Sequence, residues 1–94
     1  MANENVKTSF WIVGKSYLIR TVTMIDTGIL VSIDEHEIVL SDAAWIADTG
    51  RFSAALHSSD FLEVEPFPDG TRVAIGRGSV IDAVQIPTAP RKLK

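Results

Sequence analysis

Five side chains in this 94-residue chain have the chemistry of a ligand site: Arg20, Trp45, Arg51, Phe52 and Arg77. Three of them fall in one stretch, Ile38 to Phe52, which reads IVLSDAAWIADTGRF. Aromatic rings stack on nucleobases, each stack contributing about 1–3 kcal/mol, and guanidinium groups fork onto phosphate oxygens. Trp45 and Phe52 supply the rings, and Arg51 supplies a cation beside them. The same two rings would serve equally well as a small core beneath a mid-chain excursion. Arg77 stands between Gly76 and Gly78, where the backbone can approach a ligand closely. Gly76-Arg77-Gly78 is not a dinucleotide fingerprint, because Ile81 occupies the third glycine position and no βαβ context follows; a bend between strands is the structural alternative. Arg20 interrupts an apolar strand face. It suits a pocket, a subunit seam, or a sheet edge with its head in water.

Other polar groups carry less. Asp34-Glu35-His36-Glu37 has metal-ligand residue types, but neighbouring residues point in different directions and no second cluster stands at a metal spacing. A charged hairpin tip fits better, and neither a metal site nor a cofactor is expected. Asp42 and Asp48 would need to lie about 5–9.5 Å apart to act on a glycoside, and Asp42 has a simpler use as a helix N-cap. His57 could be a base, but a lone His at a helix end is more often a favourable charge or cap. No nucleophile–base pair is visible, so an enzyme is not expected.

These residues must be positioned by a small scaffold. A chain of this length makes one domain and buries only about 60–65% of its unfolded surface, so self-association would help it. The formal net charge of −3 argues against binding a nucleic-acid polymer, whose footprint is basic, but leaves room for a small nucleotide. The absence of cysteine excludes disulfides and thiolate metal sites. The apolar run Phe10–Val13 is too short for a signal peptide, and no segment approaches the roughly 18 apolar residues of a membrane span.

The pattern predicts a mainly β (α+β) fold: a small antiparallel sheet or partly open barrel with one or two short helices inserted mid-chain. Residues 1–9 are read as a flexible or partner-docking arm, 14–86 as the β core and 87–94 as a solvated basic tail, all in one domain, 1–94. Phe10–Val13 is an apolar patch that folds onto its own core or docks on a partner chain. Strands are predicted at Tyr17–Ile25, Ile29–Ile33 and His36–Ser41, with turns at Asp26-Thr27-Gly28 and Asp34-Glu35. A helical turn is predicted over Ala43–Thr49, capped by Asp42 and stopped by Gly50, and a second helix over Arg51–His57. Further strands are expected at Phe61–Glu65, Thr71–Ile75 and Val80–Ile86, with Pro66–Gly70 as a rigid turn.

The order of these pieces resembles a family of small uncharacterised proteins of tailed phages. Its most specific signature is AAWIADTGRF at Ala43–Phe52 followed by EVEPFPDG at Glu63–Gly70, and the likeness covers residues 14 to 86. More distantly, the chain is similar to phage sponge proteins that counter the Thoeris defence. Those are compact β-rich oligomers that sequester cyclic ADP-ribose-type or cyclic oligonucleotide signals without cleaving them. The shared positions are Arg20, Thr21, Asp42 and Ala43, and loosely Trp45; Ala44-Trp45 departs from the basic residues the sponges carry there, and this chain is shorter. The resemblance implies a non-enzymatic homo-oligomer in the cytoplasm of an infected bacterial host. Joined to the residue reading, it places Trp45 and Phe52 on a base and Arg20, Arg51 and Arg77 on the phosphates, with Thr21 also in the ligand site. A virion structural protein, such as a capsid decoration subunit contacting capsid proteins, is the alternative.

Overall fold

Six strands and one helix form in the order β1 (Ser16–Thr21), β2 (Ile25–Ile33), β3 (Glu37–Asp48), α1 (Phe52–Ser58), β4 (Glu63–Pro66), β5 (Val73–Gly76) and β6 (Val80–Ile86). The computed structural model describes residues 9–94; apart from Ser9, the expected arm lies outside the described residues. The fold is mainly β, as the sequence pattern predicts. Every strand pair is antiparallel, in the order β4-β3-β2-β1-β6, with β5 also on β3. β3 serves two neighbours on one side: Glu37–Leu40 pairs with β5 and Ala44–Asp48 pairs with β4.

The connection from β5 to β6 forces the sheet to curl. Four interstrand steps separate them, about 19 Å in a flat sheet. The 3-10 turn that joins them, Arg77–Ser79, advances only about 2 Å per residue. The curled sheet stays open, because β5 and β6 do not pair. The turn is pinned at both ends: the Arg77 N–H donates to the His36 carbonyl at 2.9 Å, and the Val22 N–H donates to the Ser79 carbonyl at 3.0 Å.

Glycine and bulges make the bend possible. Between the pairs Thr27↔Ala44 and Ile29↔Ser41, β2 has one residue, Gly28, and β3 has two, Asp42 and Ala43. This is a bulge, and Asp42 takes its left-handed position with φ 49°. The extra residue switches the inward parity of β3, so that Leu40 before it and Ala43 after it both face the interior. A Cβ at Gly28 would stand 2.9 Å from Leu40 Cβ and 3.1 Å from the Ser41 carbonyl oxygen; the two strands cross too closely there for any side chain.

Curling leaves two apolar layers. Tyr17, Ile19, Leu30, Ile38, Leu40, Ala43 and Ile75 fill the inside, with Trp11 and Phe67 packed against them. Leu18, Ala44, Ile46, Phe61, Val64 and Ile86 form the outer layer, covered by Ala55 of α1 and by Leu56. β1 is therefore buried on both faces at Tyr17, Leu18 and Ile19. Tyr17 also fixes the segment before it. Its hydroxyl accepts from the Ile12 N–H and donates to the Phe10 carbonyl, both at 2.7 Å. Of the Phe10–Val13 patch, Trp11 packs on the core, while Phe10, Ile12 and Val13 stay exposed.

Several expectations need correction. Ala43–Thr49 is not helical, and Asp42 caps nothing; β3 runs through to Asp48. Cross-strand pairing on both sides, with alanines small enough to sit between two layers, overrides the local helix signal. Asp26-Thr27-Gly28 is not a turn but the bend inside β2, and the first turn falls earlier, at residues 22–24. One of the two expected helices forms, α1, within one residue of its predicted span. The basic tail is docked instead of solvated: Arg91 Nη1 donates to the Ala43 carbonyl at 2.6 Å, its Nη2 donates to the Phe67 carbonyl at 2.9 Å, and Lys94 Nζ meets Asp60 at 2.6 Å.

Candidate functional site

Register decides which candidate residues can meet. β1 and β2 pair Arg20 with Ile25 and Ile19 with Asp26. Asp26 pairs with Trp45, and Trp45 with Glu65. Neighbours along a strand point to opposite faces, so Arg20 lies on the outer, α1-covered face and Trp45 on the inner one. The two come together only at the end of the sheet, where a depression of about 400 Å³ runs past Arg20, the β1–β2 turn, Trp45 and Ile81.

On the outer face, Arg20 is already engaged. Its Nε donates to Asp82 Oδ1 at 2.7 Å, and its Nη2 donates to Asp82 Oδ2. This two-pronged pair holds the Asp82 carboxyl below its ordinary range. The guanidinium carbon of Arg20 also lies 5.6 Å from the centroid of the Phe52 ring, within cation–π range. Phe52 is nevertheless 42% exposed. Beside it an open depression of about 640 Å³ is lined by Arg51, Phe52, Ser53, Ala54 and His57. Among the described residues the Arg51 guanidinium and the His57 ring are in no ion pair. Arg51 is held at the start of α1, where its carbonyl accepts from the Ala55 N–H at 2.9 Å.

On the inner face, Trp45 is 40% exposed. It floors a groove of about 310 Å³ walled by Met24, Pro66, Phe67 and Pro68, with Asp26 and Glu65 on either side of the indole. Asp26 is only 9% exposed, and burial pushes its carboxyl up from the ordinary value. Two carboxylates beside a ring make this a poor seat for a phosphate.

The remaining candidates have local tasks. The Thr21 hydroxyl donates to the Met24 carbonyl at 3.1 Å and accepts its N–H at 3.0 Å, closing the β1–β2 turn. Arg77 Nη1 donates to the Asp34 carbonyl at 2.7 Å; this ties the 3-10 turn to the β2–β3 hairpin, at the opposite end of β3 from Phe52. Asp34 itself closes that hairpin, its Oδ1 accepting from the His36 and Glu37 N–H groups at 2.7 and 2.9 Å. Asp42 and Asp48 are six residues apart on one strand, about 20 Å at strand rise, too far for a glycosidase pair. No group of three or more His, Cys, Asp or Glu residues that could hold a metal occurs among the described residues.

Comparison of the chain with protein-family models, with curated proteins and with solved structures finds no match in any of the three.

Asp26, Glu65 and Asp82 are the site residues that residue-by-residue reading misses. Asp26 is hidden by its place in an apparent Asp-Thr-Gly turn. Asp82 could have been found by its position in β6, since an Arg breaking one apolar strand needs an acid opposite it on the next.

Proposed function

We propose that this chain is a non-enzymatic binding domain whose α1 face holds a small nucleotide of the cyclic nucleotide or ADP-ribose type. The carrying observation is the exposed Phe52 ring beside Arg51 and His57, which are in no ion pair among the described residues, in a depression of about 640 Å³, within the usual range of small-molecule sites. A base stacks on Phe52, and phosphates meet Arg51 with His57 at their side. Arg20 orients the Phe52 ring and is not a phosphate clamp, because its fork is spent on Asp82. The depression is open, so one chain walls the ligand on one side only. A second copy supplies the other wall, which is why the reading includes a homo-oligomer. The ligand class, the phage origin and action in the host cytoplasm rest on the sequence resemblance.

The test is release of ligand by heat. Purified protein is incubated with an extract containing host nucleotide signals, washed and heated, and the supernatant is analysed by mass spectrometry. An intact nucleotide released from the wild type and absent from Arg51→Ala supports the reading; a cleaved product, or equal release from Arg51→Ala, counts against it. A virion structural role is favoured by a different observation, the exposed Phe10, Ile12 and Val13 held on the surface by Tyr17. That reading requires high copy number in purified particles, unaffected by Arg51→Ala.

A further inference from the structure

We infer that the inner-face groove receives a lysine or arginine side chain of a partner protein, its methylene stem against Met24, Pro66 and Phe67 and its cationic head over Trp45 between Asp26 and Glu65. The register puts the two carboxylates on β2 and β4, one strand either side of Trp45. Adjacent strands are about 4.8 Å apart, so their backbones straddle the indole by about 10 Å, a width suited to one ammonium or guanidinium group. Neither carboxylate is in an ion pair or side-chain hydrogen bond among the described residues. For Glu65, which is exposed, that is unremarkable. For Asp26 it is not: the residue is nine-tenths buried, lines the groove, and has no side-chain partner among the described residues. A buried carboxylate calls for a cation or a donor, and the groove is the open approach to this one.

The rest of the lining specifies the shape of that cation. A half-exposed indole attracts cations through its ring face. The walls around it are apolar, as the stem of a long basic side chain requires. Glu65 stands at the mouth and gives the head a second counter-charge. Two of the chain's own tail cations are committed elsewhere, Arg91 to Asp69 and Lys94 to Asp60. The groove lies on the face opposite Phe52, so the inference is independent of the nucleotide reading.

Titration of ¹⁵N-labelled protein with blocked tripeptides, followed at the indole N–H signal of Trp45, tests it. The signal is assigned with Trp45→Phe, and Trp11 is the internal control. An Ala-Arg-Ala or Ala-Lys-Ala peptide is expected to shift Trp45 saturably and leave Trp11 in place. An Ala-Gln-Ala peptide is expected to bind about fivefold more weakly, the scale of a cation–π contact at a partly exposed ring. Asp26→Asn and Glu65→Gln should each weaken the basic peptides severalfold, and both variants remove a charge that has no ion-pair partner among the described residues, so both should fold. Equal binding of the glutamine peptide, or undiminished binding to both variants, would overturn the proposal. So would tetramethylammonium binding as tightly as the peptides, which would make this a site for free cations, or a Trp45 shift on raising protein concentration alone, which would assign the groove to a second copy.

Discussion

Two buried polar groups set the residue-scale expectations. Thr27 is fully buried, and its hydroxyl has no hydrogen-bond partner. It sits between Leu18 and Ala44 in the register, under the outer apolar layer. Replacing the orphan hydroxyl by a methyl in Thr27→Val should stabilise the domain by about 1 kcal/mol, read as a higher denaturant midpoint at unchanged slope. Asp26 acts through its charge. Its folded-state pKa is raised, so the folded chain keeps a proton where the unfolded chain has lost one; stability falls as pH rises through that window. Asp26→Asn should therefore raise Tm at about pH 7, and the gain should shrink to nothing towards about pH 3, below the ordinary carboxylate range. Asp34, Asp60 and Asp82 are shifted down; they lose their favourable partners on acidification, the opposite sign, and cancel in the comparison of the two proteins. At this scale the sequence exposed the aromatic and cationic candidates but not their partners, because Arg20–Asp82 and Asp26–Trp45–Glu65 are cross-strand relations without any fixed spacing along the chain.

At the scale of elements, β3 and its crossing with β2 organise everything else. The Gly28→Ala variant places a methyl 2.9 Å from Leu40 Cβ and 3.1 Å from the Ser41 carbonyl oxygen, so the two strands must shift apart, and should cost about 1–3 kcal/mol. Urea denaturation of the variant checks it; an unchanged midpoint would mean that the crossing is looser than described. The strands at Ile29–Ile33, His36–Ser41 and Val80–Ile86 and the helix after Arg51 were legible, because β-branched runs, turn residues and apolar spacing agreed there. The AAWIAD segment was not. Its alanines and preceding Asp carry the local signature of a capped helix, while its strand state is imposed by β2 on one side and β4 on the other. The Asp-Thr-Gly triplet misled for a related reason: its glycine meets a close strand approach, and glycine serves turns and close approaches alike.

Across the whole molecule, the chain's last residues complete the fold. Val64 and Lys94 exchange backbone hydrogen bonds at 3.1 Å, so the tail covers the outer edge of β4, and Arg91 clamps the carbonyls of Ala43 and Phe67. Arg91→Ala should destabilise by about 2 kcal/mol through loss of these charge-assisted bonds; thermal melting measures it. A four-residue run rich in lysine and arginine reads as solvated because nothing local says which carbonyls it will reach. The curl of the sheet separates an outer aromatic–cationic face at Phe52 and Arg51 from an inner aromatic–acidic one at Trp45, two environments that the sequence had merged into one site. The most direct measurement is heat release of intact nucleotide from four proteins: wild type, Arg51→Ala, Phe52→Ala and Trp45→Ala. Retention by wild type and Trp45→Ala, with loss in Arg51→Ala and Phe52→Ala, is the expected result. Loss in Trp45→Ala together with retention in Arg51→Ala would contradict it.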